Sequence, residues 1–111
     1  MKAAELDEMI ELALEALLSG DDARRRGLVR AMVTRWPDVS ALQIVFALTS
    51  AGAAVEDTFG SGTEGAQALA YKLAAVLSAD VFALQEMGRC PVKARDLLHF
   101  WRRVDPYFLS L

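Results

Sequence analysis

The sequence predicts an all-α, single-domain bundle of about five helices, and three observations carry that reading. Apolar residues recur at three- and four-residue spacing through most of the chain. Ala, the best helix former, fills 19 of 111 positions. Ile occurs only at Ile10 and Ile44 and Thr is scarce, so β-branched strand material is thin outside Val. The length suits one domain over residues 1–111.

The first helix is expected over Lys2 to Leu18. Leu6, Met9, Ile10, Ala13 and Leu17 form its apolar stripe, and Glu5, Asp7, Glu8, Glu11 and Glu15 make the rest acidic. Ser19-Gly20 ends it, Gly20 being suited to a left-handed cap. The second helix runs from Asp22 to Arg35, with Asp21 or Asp22 as its cap. Leu28, Val29, Met32, Val33 and Trp36 face inward, while Arg24, Arg25, Arg26, Arg30 and Arg35 make it basic. Trp36-Pro37 stops it, because a residue before proline avoids the helical region.

The third helix starts at Ser40, where Ser40 and Gln43 have the spacing of a capping box, and continues to Asp57. Its polar stripe is only Gln43, Ser50 and Asp57, so burial over most of its circumference is expected. A Gly-rich loop over Phe59 to Gly65 leads to the fourth helix, from Thr63 or Glu64 to Met87, closed by Gly88. Ala66, Ala70 and Ala74 would let a neighbouring helix approach closely. These two helices should form a central hydrophobic hairpin. The fifth helix is expected to start at Cys90-Pro91 and to end at Asp105-Pro106, with Ala94, Leu97, Leu98, Trp101 and Val104 on one side.

Several functions are excluded by composition. One Cys leaves no disulfide framework and no multi-cysteine zinc site, and nothing in the pattern calls for a metal or a cofactor. The net charge of −3 and pI near 5.1 argue against a general nucleic-acid binder. The N-terminal residues are acidic where a signal peptide needs an apolar stretch, so a cytoplasmic location is expected. The longest uncharged stretch, Val39 to Val55, falls short of the roughly 20 residues of a membrane span.

Four constellations have chemical potential. Gly60-Ser61-Gly62-Thr63-Glu64-Gly65 spells the dinucleotide-binding pattern, but it follows a helix rather than a strand, which favours a plain turn. The five arginines of the second helix could touch phosphates, yet the acidic first helix beside them offers simpler partners. His99 has Asp96 on its side of the helix, and Cys90 is the nearest nucleophile. Nine residues of helix separate Cys90 from His99 by about 13 Å, too far for a catalytic pair. Lys72 and Asp80 fall outside the polar stripe of the fourth helix and are the candidate buried polar groups, with Asp80 expected to pair with a Lys or Arg.

No catalytic residue is assigned, and the expected function is a small non-enzymatic protein-interaction bundle, an adaptor or regulator. Trp101, Arg102, Arg103, Tyr107 and Phe108 are the candidate interaction residues, since Trp, Tyr and Arg dominate binding hot spots. The same rings could instead complete the core. A two-fold homodimer is expected, because the third and fourth helices have more apolar circumference than three covering helices can shield. If the C-terminal segment plays no part, the Ala-rich face of the fourth helix is the next candidate. The rival readings are a ligand-binding or catalytic bundle, with Asp80 or Lys72 in a pocket between the third and fourth helices, and a nucleic-acid-associated regulator acting through the second helix.

Overall fold

The computed structural model describes residues 3–58 and 64–110. Those residues form seven helices and no strand: α1 (Ala3–Leu18), α2 (Asp22–Arg26), α3 (Leu28–Arg35), α4 (Ala41–Thr58), α5 (Glu64–Glu86), α6 (Ala94–Arg103) and α7 (Tyr107–Ser110). The structure is about 81% helical, which makes the all-α class plain. The Gly-rich turn expected around Gly62 lies outside the described residues.

Seven helices replace five because one expected helix divides and one is added. The expected second helix breaks at Gly27, whose φ of −88° and ψ of 2° depart from helical geometry. Glycine resists the helix more than any residue except proline. Asp21 caps α2, its carboxylate accepting from the backbone N–H groups of Ala23 at 2.9 Å and Arg24 at 3.4 Å. The C-terminal segment adds α7 after Pro106.

The start of the last long helix is also corrected. Residues 91–93 are not helical, and α6 begins at Ala94. The backbone of this segment is engaged with the chain before α4. Ala41 N–H donates to the Val92 carbonyl, Ala94 N–H to Val39 and Arg95 N–H to Pro37, each at 2.9 Å. These bonds satisfy first-turn donors of both α4 and α6, which have no partner within their own helices. Asp96 completes the start of α6 by accepting from Lys93 N–H at 2.9 Å.

Two left-handed glycines end helices as expected: Gly20 at φ 74° after α1 and Gly88 at φ 94° after α5. Arg89 N–H reaches back to the Leu84 carbonyl at 3.0 Å and closes the end of α5.

The most extensive packing in the molecule is between α4 and α5, and α1 lies across both. Gly52 makes the α4–α5 approach possible. A Cβ there would meet the Tyr71 ring at 2.7 Å and the Ala70 methyl at 3.2 Å. The expected small-residue contact is therefore real, with Ala70 at its centre. The core runs from Met9, Ala13 and Leu17 of α1 through Ile44, Leu48 and Leu77 to Leu97 and Trp101 of α6, all fully buried.

Burial or half-burial covers most of the circumference of α4, as expected, and leaves a narrow open strip. Leu42 is 60% exposed and Phe46 53%, and Phe82 on α5 is 62% exposed. The covering helices α1, α3 and α6 occupy one side of the α4–α5 pair, and they are too few to enclose it. By length and composition α5 could cross a membrane, but the core helix of a soluble protein passes the same test.

Candidate functional site

The C-terminal rings turn inward. Trp101 is fully buried and Phe108 is 2% exposed, their ring centroids 5.1 Å apart. Tyr107 is half-buried and meets Phe108 edge-on, also at 5.1 Å. Of the five candidate interaction residues only Arg102 and Arg103 are exposed. Core completion accounts for the large rings, because α6 and α7 fold over the end of the bundle against α3.

Asp80 and Trp101 meet. The indole N–H of Trp101 donates to Asp80 Oδ2 at 2.9 Å, joining α6 to α5. Asp80 is 5% exposed, and its partner is a neutral donor rather than the expected Lys or Arg. Burial pushes its carboxyl above the ordinary value, the Trp101 bond pulls it back down, and Asp105 nearby pushes it up. Lys72, the other candidate, is exposed, so its expected burial is not found. It lies on the side of α5 that is left exposed among the described residues.

Among the described residues, Asp80 and Lys72 line none of the three main concavities. An open groove of about 690 Å³ lies instead where the start of α4 faces α1. Val39, Leu42 and Phe46 supply its apolar lining, with Glu5, Asp38 and Gln43 as polar groups. Gln43 does not complete the expected capping box. Ser40 Oγ accepts from Leu42 N–H at 3.2 Å, while the Gln43 amide turns inward to Met9 Sδ at 3.6 Å.

The remaining constellations do not assemble. Both oxygens of Asp96 are engaged, Oδ1 with Arg89 at 3.3 Å and Oδ2 with Lys93 N–H, while His99 and Cys90 are exposed. Among the described residues no three His, Cys, Asp or Glu side chains converge as metal ligands. The first four residues of the dinucleotide-like pattern lie outside the described residues. The acidic and basic helices meet as expected, Arg24 with Glu15 at 3.9 Å and Arg35 with Glu8 at 3.5 Å. Arg35 also sits 4.5 Å over the Trp36 ring, and Arg25 Nε donates to the Leu17 carbonyl at 3.1 Å. Three of the five arginines thus have partners inside the molecule.

What remains is a surface rather than a cleft: the outer side of α4 and α5. Leu42, Phe46 and Thr49 are exposed along α4, and Ala75, Ala79 and Phe82 along α5. Residues 41–55 contain no charge, and residues 73–85 contain only Asp80, which points inward. The sequence carried this signal as a long uncharged stretch, but apolarity alone does not say which residues find cover. No family model matches the chain, and no curated protein and no solved structure is similar to it.

Proposed function

We propose that the protein is a non-enzymatic, cytoplasmic protein-interaction bundle that works as a two-fold homodimer, its contact surface being the outer side of α4 and α5. The observation that carries this reading is an exposed helical face without charge on a chain that is 24% charged overall. Contiguous exposed apolar surface on a soluble domain marks an interaction site, and two-fold pairing is the commonest way to cover it. The burial of Trp101 and Phe108 favours this face over the C-terminal segment as the contact surface.

Sedimentation equilibrium from low micromolar to near-millimolar concentration tests the reading. The expected mass is twice the 12.1 kDa of one chain. Phe46→Asp and Phe82→Asp should each return it to the single-chain value with the helical circular dichroism unchanged, since both side chains are exposed. A single-chain mass throughout for the unaltered protein overturns it.

The ligand-binding reading draws support only from the groove between α1 and α4, whose volume falls in the range of small-molecule sites. Its lining includes Leu42 and Phe46, which the proposed dimer also uses.

A further inference from the structure

We propose that two copies pair through antiparallel α5 helices centred on Ala79, so that Lys72 of each stands opposite Glu86 of the partner subunit. This register rests on self-association through the α4–α5 face and specifies it.

The exposed line along α5 is Lys72, Ala75, Ala79, Phe82 and Glu86, spaced by three, four, three and four residues. That alternation keeps side chains on one seam between two helices. The seam has a cation at one end, an anion at the other and no charge between them. Lys72 and Glu86 each lie seven residues from Ala79, about 10 Å along the axis.

Two-fold symmetry sets the consequence. About an axis at Ala79, a residue n places before it meets the residue n places after it in the other copy. Antiparallel pairing thus brings Lys72 onto Glu86 twice, Ala75 onto Ala83 and Phe82 onto Val76. Parallel pairing in register would set Lys72 on Lys72 and Glu86 on Glu86, which is repulsive. The charge pattern therefore selects both the direction and the register.

Neither group has an ion-pair partner among the described residues. Among the described residues the ion pairs are Arg24–Glu15, Arg35–Glu8, Arg89–Asp96 and Arg95–Asp38, and Lys72 and Glu86 belong to none of them. Ala75 and Ala79 at the middle of the seam permit an interaxial distance at the short end of the usual 8–10 Å, roughly. The seam from residue 72 to 86 is about 21 Å long, too small alone for a standard interface of about 800 Å² per partner. Leu42 and Phe46, on the helix that packs against α5, are exposed as well.

The same face with acidic rather than basic neighbours is poorly suited to an anionic membrane. Glu56, Asp57 and Glu86 are exposed near its ends, against Lys72 alone on the cationic side.

A charge-swap series decides the register. Lys72→Glu and Glu86→Lys are each exposed changes that leave the helix count and circular dichroism intact. Each should weaken dimerisation by at least about tenfold, since like charges then face one another twice. The double variant Lys72→Glu/Glu86→Lys should recover the affinity of the unaltered protein. In a Cys90→Ser background, Ala79→Cys should form a covalent dimer under mild oxidation, because a residue on the axis meets itself. Ala68→Cys, eleven residues from the axis, should not.

Single charge variants that dimerise as tightly as the unaltered protein, or a double variant that fails to recover, overturn the register. If the unaltered protein is a dimer in that case, self-association through the face survives and only this arrangement falls. A single-chain mass for the unaltered protein removes both.

Discussion

Residues 3–35 carry twelve charged side chains, whereas the outer faces of α4 between residues 41 and 55 and of α5 between residues 73 and 85 carry none. The two regions are equally helical. In the first, charge sits opposite charge: the acidic α1 lies beside the basic α2 and α3, and Arg24 and Arg35 reach Glu15 and Glu8. In the second, the only charged group between Lys72 and Glu86 is turned into the core, where an indole N–H holds it. The α1–α3 region is complete as a surface exposed to water. The α4–α5 region resembles a packed layer with one covering side present and the other absent. Amphipathic periodicity explains the first. On the proposed reading, a second copy of the chain covers the second.

The comparison is sharpened most by truncating one large ring on each side of the α4–α5 layer. Trp101→Ala empties the covered side and should cost about 3–5 kcal/mol of unfolding free energy. Trp101→Phe keeps most of the ring volume but deprives Asp80 of its donor, and should cost about 1–3 kcal/mol. Phe82→Ala on the open side should change monomer stability by less than about 0.5 kcal/mol. Urea unfolding of the three variants at a concentration where the protein is monomeric makes the measurement. A large loss for Phe82→Ala would mean that its face is covered within the chain.

Gly52→Ala probes the seam between the two helices of the layer. The added methyl would press on the Tyr71 ring and the Ala70 methyl. Overpacking typically costs about 1–3 kcal/mol, offset by about 1 kcal/mol of helix propensity. A net loss of about 1–2 kcal/mol is expected, with Tyr71 turning outward and its 3.1 Å hydrogen bond to Glu56 broken. Combining the change with Tyr71→Ala should restore much of the stability.

The helix class and most helix ends were legible in the sequence because they depend on local chemistry. Asp21, Pro37, Gly20 and Gly88 act within one turn of their own positions. The delayed start of α6 was not legible, since it depends on distant groups: the carbonyls that receive Ala94 and Arg95 belong to Val39 and Pro37. Asp80 was recognisable as a residue out of place on its helix. Its partner was not, because the indole N–H that meets it lies 21 residues away on another helix. The open face was visible as apolar excess, but its location depended on which helices lie where, information that periodicity does not contain.

The Asp80–Trp101 contact also predicts a dependence on pH. Burial raises the folded carboxyl above its ordinary value of 3.8. The folded state therefore binds the proton more tightly than the unfolded chain, and stability falls as pH rises from 3.8 through the folded value. Asp80→Asn retains an oxygen for the indole N–H and removes the charge. No buried side-chain oxygen among the described residues lacks a partner, so the second Asp80 oxygen meets solvent and the Asn amide can do the same. The variant should melt higher than the unaltered protein at pH 7. That advantage should shrink on acidification and vanish below 3.8, where both side chains are neutral. An advantage independent of pH would mean that packing, not charge, separates the two.

The smallest effect belongs to the charged side. Glu8 and Arg35 are each more than half exposed, their contact is 3.5 Å, and water and salt screen it. A double-mutant cycle of Glu8→Gln and Arg35→Gln should give a coupling of about 0.2–1 kcal/mol at low ionic strength. In molar salt the coupling should approach zero. Arg35→Gln alone should cost more than Glu8→Gln, because it also removes the guanidinium stacked 4.5 Å from the Trp36 ring. That part of the loss should persist in salt, since a half-buried ring shields the contact from solvent on one side. Equal costs for the two single changes would show that the stacking contributes nothing. A coupling well above 1 kcal/mol, roughly, would show that the charged surface is held as rigidly as the core. The contrast between a water-facing side and an unfinished packing layer would then have to be drawn from charge alone, not from rigidity.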